Sequence, residues 1–262
     1  MPPLDPQLRS AIDAYFGAMN ARDEAAFAAG LAEDITFFGS MAGVRIQGLD
    51  AVRGMFQALG ERFPGLRQEP GRSFGPGPEV AVAVDITVDT DRGEGIWVFR
   101  FNGSGRIERV SALYDPRPFQ IRRARADAEA GGEPPEPGSD SPERRVVETY
   151  FATFNSGDEE AHMGLFDPEV HFFGSLSRID SAGLATIRGV HHGVRSSMGV
   201  QRLELTALYG RRQEVAALLS FTAGGAGPSA EGVWAFRING KGLIDRLSTL
   251  WNPAFLRRTS GG

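Results

Sequence analysis

At 262 residues, with 41% hydrophobic and 23% charged residues, the chain is long enough for one large domain or two ordinary ones with packed cores. The net charge of -5, with arginines spread among acids, weighs against a nucleic-acid partner, and no window approaches the roughly 18 apolar residues of a membrane span. Cysteine is absent, which excludes disulfides and thiolate metal sites and fits a reducing cytoplasm.

The opening "MPPLDPQLRS" lacks a basic stretch followed by an apolar run, so a secretory signal is not expected. Ile12, Tyr15, Phe16 and Met19 fall at i, i+3, i+4 and i+7, the spacing of one apolar helix face. Asp23 is placed to cap a short second helix, because its carboxylate can accept from free backbone N–H groups. "DITFFGS" is β-branched and aromatic and predicts a short strand. A third helix follows Gly48, carrying Val52, Phe56 and Leu59. "EVAVAVDITVDT" predicts a strand, and "EGIWVFRFNGSGRIERVSALYD" predicts two long strands joined by a turn at Asn102–Gly105. Alternation puts Trp97, Phe99 and Phe101 on one face, and Glu94, Val98 and Arg100 on the other.

The chain then repeats itself. "FFGS" at Phe37–Ser40 returns at Phe172–Ser175, and "EGxWxFR" at Glu94–Arg100 returns at Glu231–Arg237. Tyr15-Phe16, Asn20, Asp23-Glu24 and Gly48-Leu49 match Tyr150-Phe151, Asn155, Asp158-Glu159 and Gly183-Leu184. Each copy is about 110 residues, the size of a domain, so a whole domain is duplicated. The expected organisation is one domain at 5–121, a linker at 122–145 and a second domain at 146–257. The linker is rich in Pro, Gly and charge without apolar periodicity, so an extended or mobile tether is expected, and "RRTSGG" at the C-terminus is expected to fray.

Helix, helix, strand, helix and then a run of strands predicts an α+β fold, a curved antiparallel sheet wrapped around helices. In that order, "N-x-x-D-E", "G-L-x-x-(V/I)-R-G" and "W-x-F-R-x-N-G-x-G-x-I", each present twice, resemble the nuclear transport factor 2-like superfamily. That superfamily includes ketosteroid isomerases, limonene-epoxide hydrolases and SnoaL-like polyketide cyclases. The resemblance covers nearly all of the chain outside the linker. It implies two tandem cone-shaped α+β-barrel domains. It also implies pairing of the two as a pseudo-dimer within the chain, through an outer sheet face bearing Glu94, Arg100 and Arg109, or Glu231, Arg237 and Arg246; further self-association stays open.

Each cone of the family usually encloses an apolar pocket. Tyr15 and Tyr150 stand where ketosteroid isomerases place an oxyanion-donating tyrosine. The isomerases' aspartate base falls on Gly39 and Gly174, and their second acid on Trp97 and Trp234. The acid that epoxide hydrolases and cyclases place on the last strand falls on Ala112 and Thr249. Steroid-isomerase chemistry is therefore not expected. All four histidines, His162, His171, His191 and His192, lie in the second copy; Phe56 holds the place of His191 and Phe27 that of His162. A side chain that titrates near neutrality on an inward helix face makes His191 a candidate acid or base beside Tyr15 and Tyr150.

Trp97, Phe99 and Tyr114 in the first copy, and Trp234, Phe236 and Trp251 in the second, form either a filled core or an aromatic-lined cavity. A cavity would take a small apolar, polyketide- or terpenoid-like molecule. No phosphate loop, dinucleotide fingerprint or nucleophile elbow occurs, so no cofactor is expected, and no metal. The expected function is small-molecule binding, with a cofactor-independent cyclase, isomerase or hydrolase of secondary metabolism as its catalytic form. The alternative is a non-catalytic binding or assembly module that has lost the family's carboxylates.

Overall fold

The structure, a computed structural model, describes residues 4–40, 44–122, 141–175, 179–196, 200, 202–222 and 229–252. Most of the expected linker and the C-terminal tail lie outside the described residues. The chain divides into two compact units. One contains Asp5–Ser73 and the chain from Val80, and the other contains the second copy together with Phe74–Glu79.

In the first unit, α1 (Pro6–Ala21) starts on Asp5, whose carboxylate accepts from the Gln7 N–H at 2.8 Å, with Pro6 in the first turn. Its buried face is Ile12, Tyr15, Phe16 and Ala18; the spacing names the first three, while Met19, the fourth expected, is half-buried. Asp23 caps α2 (Glu24–Ala29) by accepting from Ala26 N–H at 2.9 Å. The strands β1 (Leu31–Gly39) and β2 (Val44–Gln47), then α3 (Leu49–Arg62), precede β3 (Leu66–Phe74), β4 (Glu79–Val88), β5 (Asp91–Phe101) and β6 (Ile107–Tyr114). The second unit repeats the order: α4 (Pro142–Ser156), α5 (Glu159–Met163), β7 (Phe166–Gly174), β8 (Ile179–Ala182), α6 (Leu184–Ser196), β9 (Leu203–Arg211), β10 (Glu214–Thr222), β11 (Ser229–Ile238) and β12 (Ile244–Trp251). Ser141 and Asp158 cap α4 and α5 as Asp5 and Asp23 cap α1 and α2.

Each unit holds one open six-stranded sheet, ordered β2-β1-β6-β5-β4-β3 and β8-β7-β12-β11-β10-β9. The sheets are not wholly antiparallel. β1 runs parallel to β6, with Phe37 opposite Val110, and β7 runs parallel to β12, with Phe172 opposite Leu247. A helix and four strands separate these partners in sequence, and that length of chain permits a parallel return. No helix among the described residues is long and apolar enough to cross a membrane.

The repeated phrases have structural roles. The serine of "FFGS" is buried at the end of its strand. Ser40 donates its N–H to Ala112 O at 3.0 Å and accepts from Tyr114 N–H at 3.3 Å. Ser175 repeats this with Thr249 O at 3.0 Å and Trp251 N–H at 3.1 Å. In "EGxWxFR" the arginine pairs across its hairpin, Arg100 with Glu108 at 2.9 Å and Arg237 with Asp245 at 2.7 Å. Gly95 cannot be larger, since a Cβ there would stand 2.6 Å from Tyr114 Cβ and 2.8 Å from Leu113 O. The turn asparagines bind their own loops: Asn102 Oδ1 accepts from Ser104 and Arg106 N–H, and Asn239 Oδ1 from Lys241 and Leu243 N–H.

The asparagine ending the first helix of each unit docks an edge strand. Asn20 donates to Gln68 O at 2.8 Å and accepts from Gln68 N–H at 2.9 Å. Asn155 does the same with Leu203, at 2.9 and 2.8 Å. A planar amide thus supplies the donor and acceptor that a neighbouring strand would offer.

One exchange distinguishes the units. Arg22 ends α1 in the left-handed region, φ 58°, and its guanidinium donates to the carbonyls of Gly60, Phe63 and Pro64 at the end of α3. In the second unit the corresponding residues are Gly157, φ 77°, and Arg195. Arg195 reaches back from α6 to Phe154 O and lies 5.4 Å from the Phe154 ring centre. A cation ties the first and third helices in both units, but from opposite sides. Arg22→Ala is expected to cost the first unit about 1–2 kcal/mol through lost hydrogen bonds. Adding Gly60→Arg to Arg22→Gly should recover most of such a loss, because glycine accepts the positive φ. Urea denaturation of the two variants checks this.

Candidate functional site

The site lies in the second unit. α4 turns Tyr150 and Phe154 inward, α5 brings His162, α6 brings Ile187 and His191, and the sheet supplies Phe172, Trp234, Leu247, Thr249 and Trp251. Between them is a cavity of about 430 Å³, with Ile179, Ser181, Thr186, Val190, Gly193 and Val194 along its α6 and β8 side. The lining is mainly apolar and aromatic, with no carboxylate among the described residues.

Two histidines meet at one end. His162 is 1% exposed, and its ring centre lies 4.8 Å from that of His191 and 4.5 Å from that of Tyr150. His162 Nδ1 is 2.9 Å from Thr153 Oγ1. That hydroxyl is also within reach of Thr149 O at 2.9 Å and Tyr150 O at 3.1 Å, and the arrangement that satisfies all of these contacts has it donate to the backbone and accept from His162 Nδ1–H. Burial, with the nearby His191, holds the His162 imidazole down at about 3; Arg195 acts in the same direction, and the Tyr150 carbonyl opposes it. His191 is lowered too, first by burial and then by Arg195, and its Nε2 is buried with no hydrogen-bond partner among the described residues. Trp234 Nε1 is likewise buried and unpartnered among them. Burial raises the Tyr150 phenol far above its ordinary value, so it stays a neutral hydroxyl. Near neutral pH the end of the cavity therefore offers neutral hydrogen-bonding groups, not ions.

The first unit fills the same positions with carbon. Phe27 and Phe56 replace His162 and His191 and stack at 4.5 Å between ring centres. Tyr15 packs on Phe16, Phe27 and Phe99 with its hydroxyl buried and unpartnered among the described residues. Burial raises its phenol strongly, with the Trp97 indole acting in the opposite sense. Trp97 stacks on Tyr114 at 5.7 Å.

Of the residues singled out from sequence, Tyr150, His191, Trp234 and Trp251 come together around the cavity. Phe236 packs on Tyr150 and Phe151 as core. Tyr15, Trp97 and Phe99 are buried in the first unit, and Tyr114 is half-buried there. His171 sits on β7 and pairs with Asp180 at 2.9 Å. Sequence reasoning counted His162 but gave it no role. The signal was present, since the paired replacement of Phe27 and Phe56 by His162 and His191 marks two positions in contact. Among the described residues no three His, Cys, Asp or Glu side chains converge as metal ligands would.

Similar solved structures each correspond to about one unit. A Kribbella flavida protein assigned as a ketosteroid isomerase is 28% identical over 41% of this chain and 77% of its own, with a TM-score of 0.37. A Sinorhizobium meliloti protein assigned as a polyketide cyclase is 22% identical over 39% and 93%, with a TM-score of 0.36. TerC, co-crystallised with polyporic acid, is 17% identical over 44% and 96%, with a TM-score of 0.40. No curated protein matched the chain. The profile of the SnoaL-like domain matches twice, over residues 12–110 and 147–247. Since those matches cover more than half of the sequence and fall on the two units, the chain belongs to the SnoaL-like domain family as a tandem of two such domains.

Proposed function

We propose that the second unit binds one small, largely apolar molecule in its cone, while the first unit serves as a filled structural partner. The observation that carries this reading is the cavity of about 430 Å³, set against the Phe27–Phe56 stack at the matching place. Filled at the density of a protein interior, such a space takes a molecule of about 300 Å³ van der Waals volume, in the range of small-molecule sites. The aromatic lining suits a flat, polyketide- or terpenoid-like ring system.

A catalytic form, as a cofactor-independent cyclase, isomerase or hydrolase, would rest on shape and on Tyr150 and His191 as neutral hydrogen-bonding groups. The places of the family's carboxylates hold Gly174, Trp234 and Thr249, which favours binding over proton transfer. Pairing of the two cones within the chain stays part of this proposal, on the resemblance alone.

Gly193 provides the test. It lines the cavity, and a Cβ built there meets nothing within 4 Å. Gly193→Leu is expected to raise stability by about 1–2 kcal/mol, by burying an apolar side chain and removing a helical glycine. It should also weaken binding of pyrene, a flat apolar probe, about tenfold or more. Fluorescence titration reads both proteins. Unchanged pyrene affinity in Gly193→Leu, or no pyrene binding by the unaltered chain, rejects the proposal.

A further inference from the structure

Resting on that reading of the second cone, we infer that His162 is the group that selects the ligand: its Nε2 accepts a hydrogen bond from a hydroxyl on an otherwise apolar ring system. Three observations converge. His162 lines the cavity and is itself 1% exposed, so its ring belongs to the site and not to the surface. Thr153 Oγ1 meets Thr149 O, Tyr150 O and His162 Nδ1 together, and all three contacts are satisfied when the hydroxyl donates to the backbone of α4 and accepts from Nδ1–H. That tautomer leaves the ring's lone pair on Nε2. Phe27 holds the same position in the filled unit, where only ring packing is needed.

A ligand that brings a donor to this acceptor gains a hydrogen bond in an apolar surrounding. A ligand without one strips the acceptor of water and returns nothing, so the site discriminates by what the ligand offers and not by size alone. Tyr150 stands beside His162, with ring centres 4.5 Å apart, and burial keeps its phenol a neutral hydroxyl. A phenol or enol can donate to His162 and accept from Tyr150, whereas an ether or a bare hydrocarbon can only pack. An anionic ligand is disfavoured, since His162 stays neutral near pH 7 and the described lining residues offer no charge to pair with it. The ligand class is thus a neutral, hydroxylated aromatic or alicyclic polycycle.

The test compares pyrene, 1-methoxypyrene and 1-hydroxypyrene by fluorescence titration at pH 7 against the full chain. The expected result is that 1-hydroxypyrene binds about five- to tenfold more tightly than either of the others. In His162→Phe and His162→Leu that preference should fall to within about twofold, while pyrene itself still binds to at least one of them and so reports an intact cavity. The leucine variant keeps close to the volume of histidine and guards against closure by the larger ring. Equal affinities for all three probes in the unaltered chain would overturn this inference while leaving the binding proposal standing. So would a hydroxyl preference that survives both substitutions. Absence of binding by every probe would overturn both.

Discussion

Acidification from pH 7 to pH 3 is expected to remove on the order of 4 kcal/mol of stability from the second unit through His162 alone. Replacing His162 by phenylalanine should remove most of that dependence. In the unfolded chain the imidazole protonates near its ordinary 6.5, but in the folded unit only at about 3. Between those values the unfolded state holds a proton that the folded state excludes, so stability falls as pH falls. The contribution is fully present above pH 6.5 and is lost by about pH 3. His191 is shifted the same way and steepens the loss, with Arg195, His192 and Glu159 as the charges around it.

Cation exclusion is inherent in the packing. His162 lies among Tyr150, Phe154, Phe166 and His191, and a proton there would be buried without a counter-ion among the described residues. Tryptophan fluorescence in urea at several pH values measures the effect. Of the three tryptophans, Trp97 belongs to the first unit, and Trp97→Phe leaves a signal from the second alone. Between pH 6 and pH 4 the unaltered unit should lose about 1.4 kcal/mol per pH unit more than His162→Phe. Equal slopes would show that His162 does not stay neutral in the folded unit.

Asn155→Ala is expected to cost the second unit about 2–4 kcal/mol. The single amide satisfies both the N–H and the C=O of Leu203, at 2.8 and 2.9 Å, where the chain enters β9. Leu203 is 1% exposed, so water does not readily replace the lost partner. Asn155→Asp keeps the acceptor but loses the donor and sets a carboxylate against Leu203 O, so it should be no better than alanine. Asn20→Ala should act in parallel on the first unit through Gln68. Urea denaturation ranks the variants, and a cost below about 0.5 kcal/mol for Asn155→Ala would contradict this role.

The sequence made the units legible because they are written twice, and a chance pattern does not recur in register. Buried central strands such as Glu79–Val88 and the helix face of Tyr15 and Phe16 announce themselves by composition. Four strands did not: β2, β3, β8 and β9, which are the four edges of the two sheets. "LRQEPGRSF" buries only Gln68 and Phe74 and carries Pro70, which an edge tolerates because one side of the strand needs no ladder bond. Its counterpart "LELTALYGR" sits at the other sheet's edge. An edge pays little for polar residues, so periodicity fades there.

The site was half legible. Tyr150, His191, Trp234 and Trp251 were named from helix phase and strand alternation, and they do share one cavity. Yet the same reasoning gave Tyr15, Trp97 and Tyr114 equal standing. Helix phase and strand alternation do not tell rings that line a cavity from rings that fill one. The contacts of Phe27 with Phe56, and of His162 with His191, emerge only once α2 meets α3, or α5 meets α6. The tautomer of His162 depends on Thr153 one helix away, which no linear motif reveals.

The most direct measurement is the stoichiometry of pyrene binding to the unaltered chain, to Gly193→Leu and to Ala58→Leu, the same helix position in the first unit. The account predicts one site per chain, lost in Gly193→Leu and kept in Ala58→Leu. Two sites per chain, or one site that Ala58→Leu removes and Gly193→Leu spares, would contradict it.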